Sequence, residues 1–237
     1  RRRHTRYGTV TGVQTCALPI SFEALQYYSL KASNEIAQEF GPCPLFSETQ
    51  YAKGIMPIDS YKKDIDDFCN TKLELDWDTL RKDIQEKGLR NSTLTALMPC
   101  ESSSQISNST NGIEPPRGFI SVKQSKDGIL KQVVPEYEKL HKKYELLWDI
   151  KDNEGYLQLC AIMQKFVDQS ISTNTHYDPS QYDGNRVPMK LFLMDLLKAY
   201  KYGIKTLYYH TTRDGASDDQ SIEKKGDDDC EDGVCKL

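Results

Sequence analysis

The sequence predicts an α/β protein that ends in a polar tail, on three observations. Between residues 153 and 210 helix-type and strand-type periodicity alternate, the order that builds an α/β layer or barrel. The 237 residues are 38% apolar and 28% charged, enough for one large or two small soluble domains. From Arg213 onward nine acidic residues stand against four basic ones, with almost no large apolar side chains. Such a segment cannot bury enough surface to order itself, so the tail is expected to be disordered.

Residues 1–20, "RRRHTRYGTVTGVQTCALPI", hold four arginines and no acid. An Arg-rich, acid-poor start is one mark of a transit peptide. A secretory signal fits less well, because Gly, Thr and Gln interrupt any apolar core. "VTGVQTCALPI" resembles an in-frame translation of a common sequencing adapter joined to a truncated gene. On that reading residues 1–20 are an artefact, not native, and are excluded from fold reasoning. The remainder then carries 27 basic against 35 acidic residues, a formal charge of −8.

Charge and composition exclude several classes. A net negative chain has no general basis for nucleic-acid binding. No apolar run approaches the ~20 residues that a membrane span needs. Of seven cysteines, Cys16, Cys43, Cys69, Cys100 and Cys160 are scattered singly. An odd, scattered set fits a reduced, cytoplasmic chain better than a disulfide framework.

The elements follow in order. Ser21 to Phe40 reads as a helix with Phe22, Leu25, Ala32, Ile36 and Phe40 at helical spacing, stopped by Gly41-Pro42. Residues 41–75 are irregular. Asp76 is an N-cap for a helix with Trp77, Leu80 and Ile84 on one face and Gly88 at its end. Ser92 to Met98 alternates as a strand. Pro99 leads into a Ser-rich turn and a short helix through Ser107. "FISVK" and "LKQVV" predict a hairpin around Ser125–Gly128. Pro135 opens a helix to about Trp148. Asn153–Asp168 is a further helix, "SISTNTHYD" a strand, Pro188–Tyr202 a helix ended by Gly203, and Ile204–His210 a strand.

Four constellations could carry chemistry, each beside a plain structural reading. In "LMPCESSSQ" free N–H groups at a helix start favour an anion such as phosphate. Ordinary serine capping explains the same residues. The helix from Pro188 is apolar nearly all round, so it is buried or lends a second face to a partner. Burial in its own domain is the default. In "KTLYYHTTRDG", strand alternation puts one of Tyr208 and Tyr209 inward and the other outward. A hydrogen or electron relay would instead need the strand to distort so that the rings meet. Cys230 and Cys235, with four residues between them, suit thiol–disulfide exchange on a mobile tail better than a structural staple or zinc.

Taken together, "YAKGIMPIDSYKKD", "LRNSTLTALMP", "SSQISNSTNGIEPPRG", "KDGILKQVVPEYE", "GYLQLCAIMQKFVDQSIS", "KTLYYHTTRDG" and the terminal cysteine pair resemble the C-terminal part of the large (alpha) subunit of class I ribonucleotide reductases, Ia type. The resemblance runs from about Ser21 to Leu237. Its joint order is specific where each motif alone is weak.

The resemblance implies the C-terminal part of a ten-stranded α/β barrel over residues 21–215, with a small α/β insertion. It implies a flexible redox tail over residues 216–237. Glu101, Ser102 and Ser103 match the turn that holds the substrate's diphosphate. Cys100 stands there where serine is expected, and a thiol is the poorer donor. Tyr208 and Tyr209 match a stacked pair that carries a radical from the small subunit toward the catalytic cysteine. The Pro188 helix matches the docking site of the small subunit's C-terminal tail. Cys230 and Cys235 match the tail dithiol that re-reduces the active-site disulfide and is itself reduced by thioredoxin or glutaredoxin.

The implied reaction is reduction of ribonucleoside diphosphates to deoxyribonucleoside diphosphates by radical chemistry with dithiol electrons. The intact enzyme would be a large-subunit homodimer using ATP and dNTP effectors and a metal-generated radical on the small subunit. In the family the catalytic cysteine, its Asn and Glu partners and the active-site disulfide lie upstream of the matched segment. The residues here are therefore expected to bind no cofactor or metal and to be inactive alone. Two other classes stay open. One is a small-subunit-binding module without catalysis, and the other is an oxidoreductase acting on other proteins through the tail dithiol.

Overall fold

A computed structural model describes residues 12–100, 102–110, 112–125 and 128–213. Helix α1 spans Gly12–Phe40, so it begins before the predicted Ser21. Its buried face is not the predicted one. Leu25, Ile36 and Phe40 are exposed, whereas Glu23, Gln26, Leu30, Ser33, Asn34 and Ala37 point inward. The cause is the neighbour: besides other helices, α1 packs on the chain at Glu74 and Leu75 and on the C-terminal end of the next helix, whose backbone groups must be paired when buried. Glu23 Oε1 accepts from the Glu74 and Leu75 backbone N–H groups, each at 2.9 Å, and from the Trp77 indole at 3.0 Å. Asn34 donates to the carbonyls of Asp83 and Gly88 at 3.1 and 2.8 Å.

Helix α2, Trp77–Lys87, follows the sequence closely. Asp76 accepts from Thr79 N–H at 3.1 Å, and Trp77, Leu80 and Ile84 are buried. Gly88 closes the helix at φ 81, and a Cβ there would lie 2.6 Å from Pro42 Cβ. With Leu30, Tyr51, Met56, Ile58, Leu89 and Phe166 this face forms one apolar cluster.

The predicted strand over residues 92–98 shrinks to one parallel bridge between Leu97 and Ile171. A short helix α3, Ser103–Ile106, follows. Strands β1 (Ile120–Ser125) and β2 (Gly128–Val133) form the expected antiparallel hairpin, with Ile120 opposite Val133 and Ser125 opposite Gly128. The long helix predicted from Pro135 does not form. Glu136 sits at φ 52, helix α4 covers only Tyr137–Leu140, and Tyr144 is extended. The Tyr144 hydroxyl donates to Pro135 O at 2.8 Å and Leu147 N–H donates to Pro116 O at 2.9 Å. Those bonds bring Leu147 and Trp148 into the core, where a straight helix would have carried them away.

Helix α5, Glu154–Gln164, is buried nearly all round and centres the second apolar cluster. Strand β3 (Thr173–Tyr177), helix α6 (Met189–Lys201) and strand β4 (Leu207–Thr212) form a strand–helix–strand crossover with β3 and β4 parallel. With Leu97 paired beside Ile171, three parallel segments run side by side, the arrangement of a barrel wall. The two sheets among the described residues are two-stranded, and no closed barrel is formed by them. No helix of the described residues is long and apolar enough to cross a membrane.

Candidate functional site

The tyrosine pair lies where β4 departs from regular pairing. Thr173 pairs with Leu207 and Thr175 with His210, so two steps along β3 match three along β4. One extra residue in β4 is a bulge, and a bulge breaks alternation. Tyr208 and Tyr209 consequently do not divide between core and solvent; they are 53% and 58% exposed. Their ring centroids are 4.0 Å apart at an interplanar angle of 42°, and the Tyr209 hydroxyl donates to the Tyr208 hydroxyl at 3.2 Å.

Polar groups surround the bulge. Tyr209 N–H donates to Asn174 Oδ1 at 3.0 Å. Asn174 Nδ2 donates in turn to Glu114 Oε1. Burial pushes the Glu114 carboxyl above the usual range, against the bond from Asn174 and the charge of Arg117. His176 Nε2 lies 3.9 Å from Glu114 Oε2. Burial, with Arg117 adding to it, lowers the imidazole to about 4. His210, one residue past the pair, places Nδ1 2.6 Å from Thr175 Oγ1.

The Ser-rich turn follows the segment whose Leu97 bridges Ile171, just before β3. Ser104 N–H donates to Cys100 O at 2.9 Å and opens α3, while Cys100 Sγ is spent on Met98 O at 3.4 Å. Ser102 and Ser103 are exposed and Ser104 is buried. Gln132 from β2 donates to Ser109 O at 3.2 Å, tying the hairpin to this turn. Glu101 lies outside the described residues, as do Cys230 and Cys235.

Helix α6 overturns the default of burial in its own domain. Met189, Leu193, Leu196, Leu197 and Tyr200 are all more than half exposed. Its inward face instead carries Asp195 and Ala199. Asp195 Oδ2 accepts from Asn153 Nδ2 at 2.8 Å and from the Tyr177 hydroxyl at 2.9 Å. An apolar stripe facing solvent over a polar anchor is the inverse of an ordinary surface helix.

The structure therefore brings Tyr208 and Tyr209 into contact, and the loop after α3 supplies Glu114 to the same bulge. Sequence reasoning missed Asn174, Glu114 and Asp195. One signal was available: Asn is a poor strand former, yet it interrupts the β-branched run of "ISTNT". Cys69 and Cys160 are buried, and burial pushes the Cys160 thiol up to about 12. Among the described residues no group of three or more His, Cys, Asp or Glu could hold a metal.

Comparison with known proteins gives a consistent result. Residues 14–210 match the family model for the ribonucleotide reductase barrel domain. Ribonucleoside-diphosphate reductase 1 subunit alpha of Escherichia coli is 64% identical over 219 residues, covering 92% of this chain and 29% of that protein. The alpha subunit from Haemophilus influenzae is 65% identical over 217 residues, covering 92% of this chain and 28% of that protein. The alpha subunit of Enterobacteria phage T4 is 51% identical over 219 residues. The chain thus spans about 29% of the length of these curated relatives.

Proposed function

Since the chain belongs to the ribonucleotide reductase barrel-domain family, we propose that it supplies the radical-relay and partner-docking part of a large subunit that reduces ribonucleoside diphosphates. The observation that carries this reading is the contact of Tyr208 with Tyr209 at the β4 bulge. Two phenols joined by a 3.2 Å hydrogen bond can exchange one electron and one proton together. The O–H bond of one phenol breaks as that of its neighbour forms. The radical moves one residue along, and no atom is gained or lost from the pair.

The remaining roles take their support from the same resemblance. Glu101, Ser102 and Ser103 would hold the diphosphate, with backbone N–H groups of the turn unaffected by Cys100. The exposed apolar stripe of α6 suits the tail of the small subunit, and Leu193, Leu196 and Leu197 would line that contact. Cys230 and Cys235 would exchange electrons with thioredoxin or glutaredoxin. Cys69 and Cys160 are poor candidates for a catalytic thiol, since both are buried and a nucleophilic or radical thiol must be reached. These 237 residues alone would reduce no nucleotide.

The test is Tyr209→Phe in the intact large subunit, assayed with small subunit, reductant and a ribonucleoside diphosphate. Phenylalanine keeps the ring and removes the O–H. Turnover is expected to vanish while small-subunit binding is retained. Turnover near that of the unmodified enzyme would sink the relay reading.

A further inference from the structure

We propose that Asn174 and Glu114 are a positioning pair that builds the β4 bulge and thereby fixes the contact between Tyr208 and Tyr209; its weight for turnover rests on the relay reading above. The starting point is backbone accounting. In a regular parallel ladder each strand advances in step with its neighbour. Here β4 takes three steps from Leu207 to His210 while β3 takes two from Thr173 to Thr175. The extra residue removes one backbone N–H from the ladder, and an unpaired N–H is costly. Asn174, directly opposite, accepts that N–H from Tyr209 on its side chain.

The chemistry of the amide then fixes the rest. An Asn side chain has one accepting end and one donating end. A backbone N–H can only donate, so Oδ1 must face Tyr209 and Nδ2 must face away. Glu114 Oε1 is the acceptor found there. Glu114 comes from the loop after α3, and its side chain is only 19% exposed. A carboxyl withdrawn from water so far needs a donor in return. The charged and titratable neighbours of the pair are Arg117 and His176. Valine or threonine at position 174, ordinary choices for a strand, cannot reach the Tyr209 N–H and a carboxylate together. The pair therefore holds open the one place in β4 where adjacent rings can lie on the same side.

The experiment uses the 237-residue chain with ring-labelled tyrosine and follows two NMR readouts: the ring-to-ring Overhauser contact between Tyr208 and Tyr209, and exchange of the Tyr209 amide proton. Asn174→Leu should speed that exchange by about tenfold, the worth of one hydrogen bond, and remove the ring contact. Glu114→Leu should weaken both, while Glu114→Gln, which keeps an acceptor oxygen, should restore both. If Asn174→Leu prevents folding, the two Glu114 variants decide alone. Ring contact and exchange unchanged in Glu114→Leu, or equal loss in Glu114→Gln and Glu114→Leu, would overturn the proposal. A second arm places the Glu114 variants in the intact subunit with its small subunit. There Glu114→Leu should lower kcat, leave KM for the diphosphate unchanged, and be rescued by Glu114→Gln. A lost ring contact with full turnover would reject the relay reading and leave the positioning role standing.

Discussion

Asp195 offers the sharpest test of how α6 is held. It is 7% exposed, and one of its oxygens takes both the Asn153 amide at 2.8 Å and the Tyr177 hydroxyl at 2.9 Å. Asp195→Leu is close in volume and removes both acceptors. Each stranded donor costs roughly 1–3 kcal/mol, and relief of the buried carboxylate returns part of that, so the net loss should be about 2–3 kcal/mol. Asp195→Asn keeps one acceptor oxygen but gives up the charge, which roughly halves the bond strength, for a loss of about 1 kcal/mol. For a chain of this size the leucine variant should melt about 5–10 °C lower. Urea unfolding of the two variants, and of each combined with Tyr177→Phe, provides the measurement. The leucine change and Tyr177→Phe should be non-additive by about 1 kcal/mol, because they remove the same bond. A leucine variant within about 0.5 kcal/mol of the parent, or strict additivity with Tyr177→Phe, would refute the claim that the polar anchor holds the helix.

Two further outcomes are expected. His176 is held neutral in the folded state at about 4, against an ordinary 6.5, so the unfolded chain binds more protons between those values. Stability should therefore fall as pH drops from 6.5 toward 4, by up to about 3 kcal/mol, and His176→Gln should flatten that slope in urea titrations. A slope unchanged by the substitution would place the acid sensitivity elsewhere. Leu197→Asp puts a charge on the exposed stripe of α6, where Leu197 is 62% exposed. If α6 docks the small subunit as proposed, the change should weaken that binding by at least about tenfold, as loss of a central apolar anchor does, with stability changed by less than about 0.5 kcal/mol. Calorimetric titration and urea unfolding read the two quantities separately.

What the sequence disclosed follows from which physics was local. Asp76, the Trp77–Leu80–Ile84 face and Gly88 specify α2 without help, because a cap, a stripe and a positive-φ stop all lie within one segment. The β1–β2 hairpin and the strand–helix–strand order after Asn153 were legible for the same reason. The failures are all long-range. The buried face of α1 is polar because Glu23, Gln26 and Asn34 satisfy groups some 50 to 70 residues away in sequence, which no helical wheel contains. The helix expected through Trp148 breaks because Leu147 is paired to Pro116. The two tyrosines escape alternation because β4 gains a residue against β3, and that register belongs to a partner strand.

Strand β3 explains why helix α6 and the tyrosine pair belong to one unit. Its successive residues each engage a different part of the site. Asn174 holds the bulge, Thr175 meets His210, and Tyr177 bonds Asp195 of α6. Phe192 of α6 closes the circuit, with its ring 4.1 Å from Tyr177 and 5.7 Å from His210. A shift of α6 along its axis would separate Phe192 from both rings and strip Asp195 of its donors. Close-packed interiors resist such sliding, because every neighbour must move as well. A partner seated on Leu193 and Leu197 would thus be held in fixed register to Tyr208 and Tyr209 through β3. Fixed register is what the proposed relay between two subunits would need, and on that reading the polar underside of α6 would matter to the reaction as much as its apolar outer stripe.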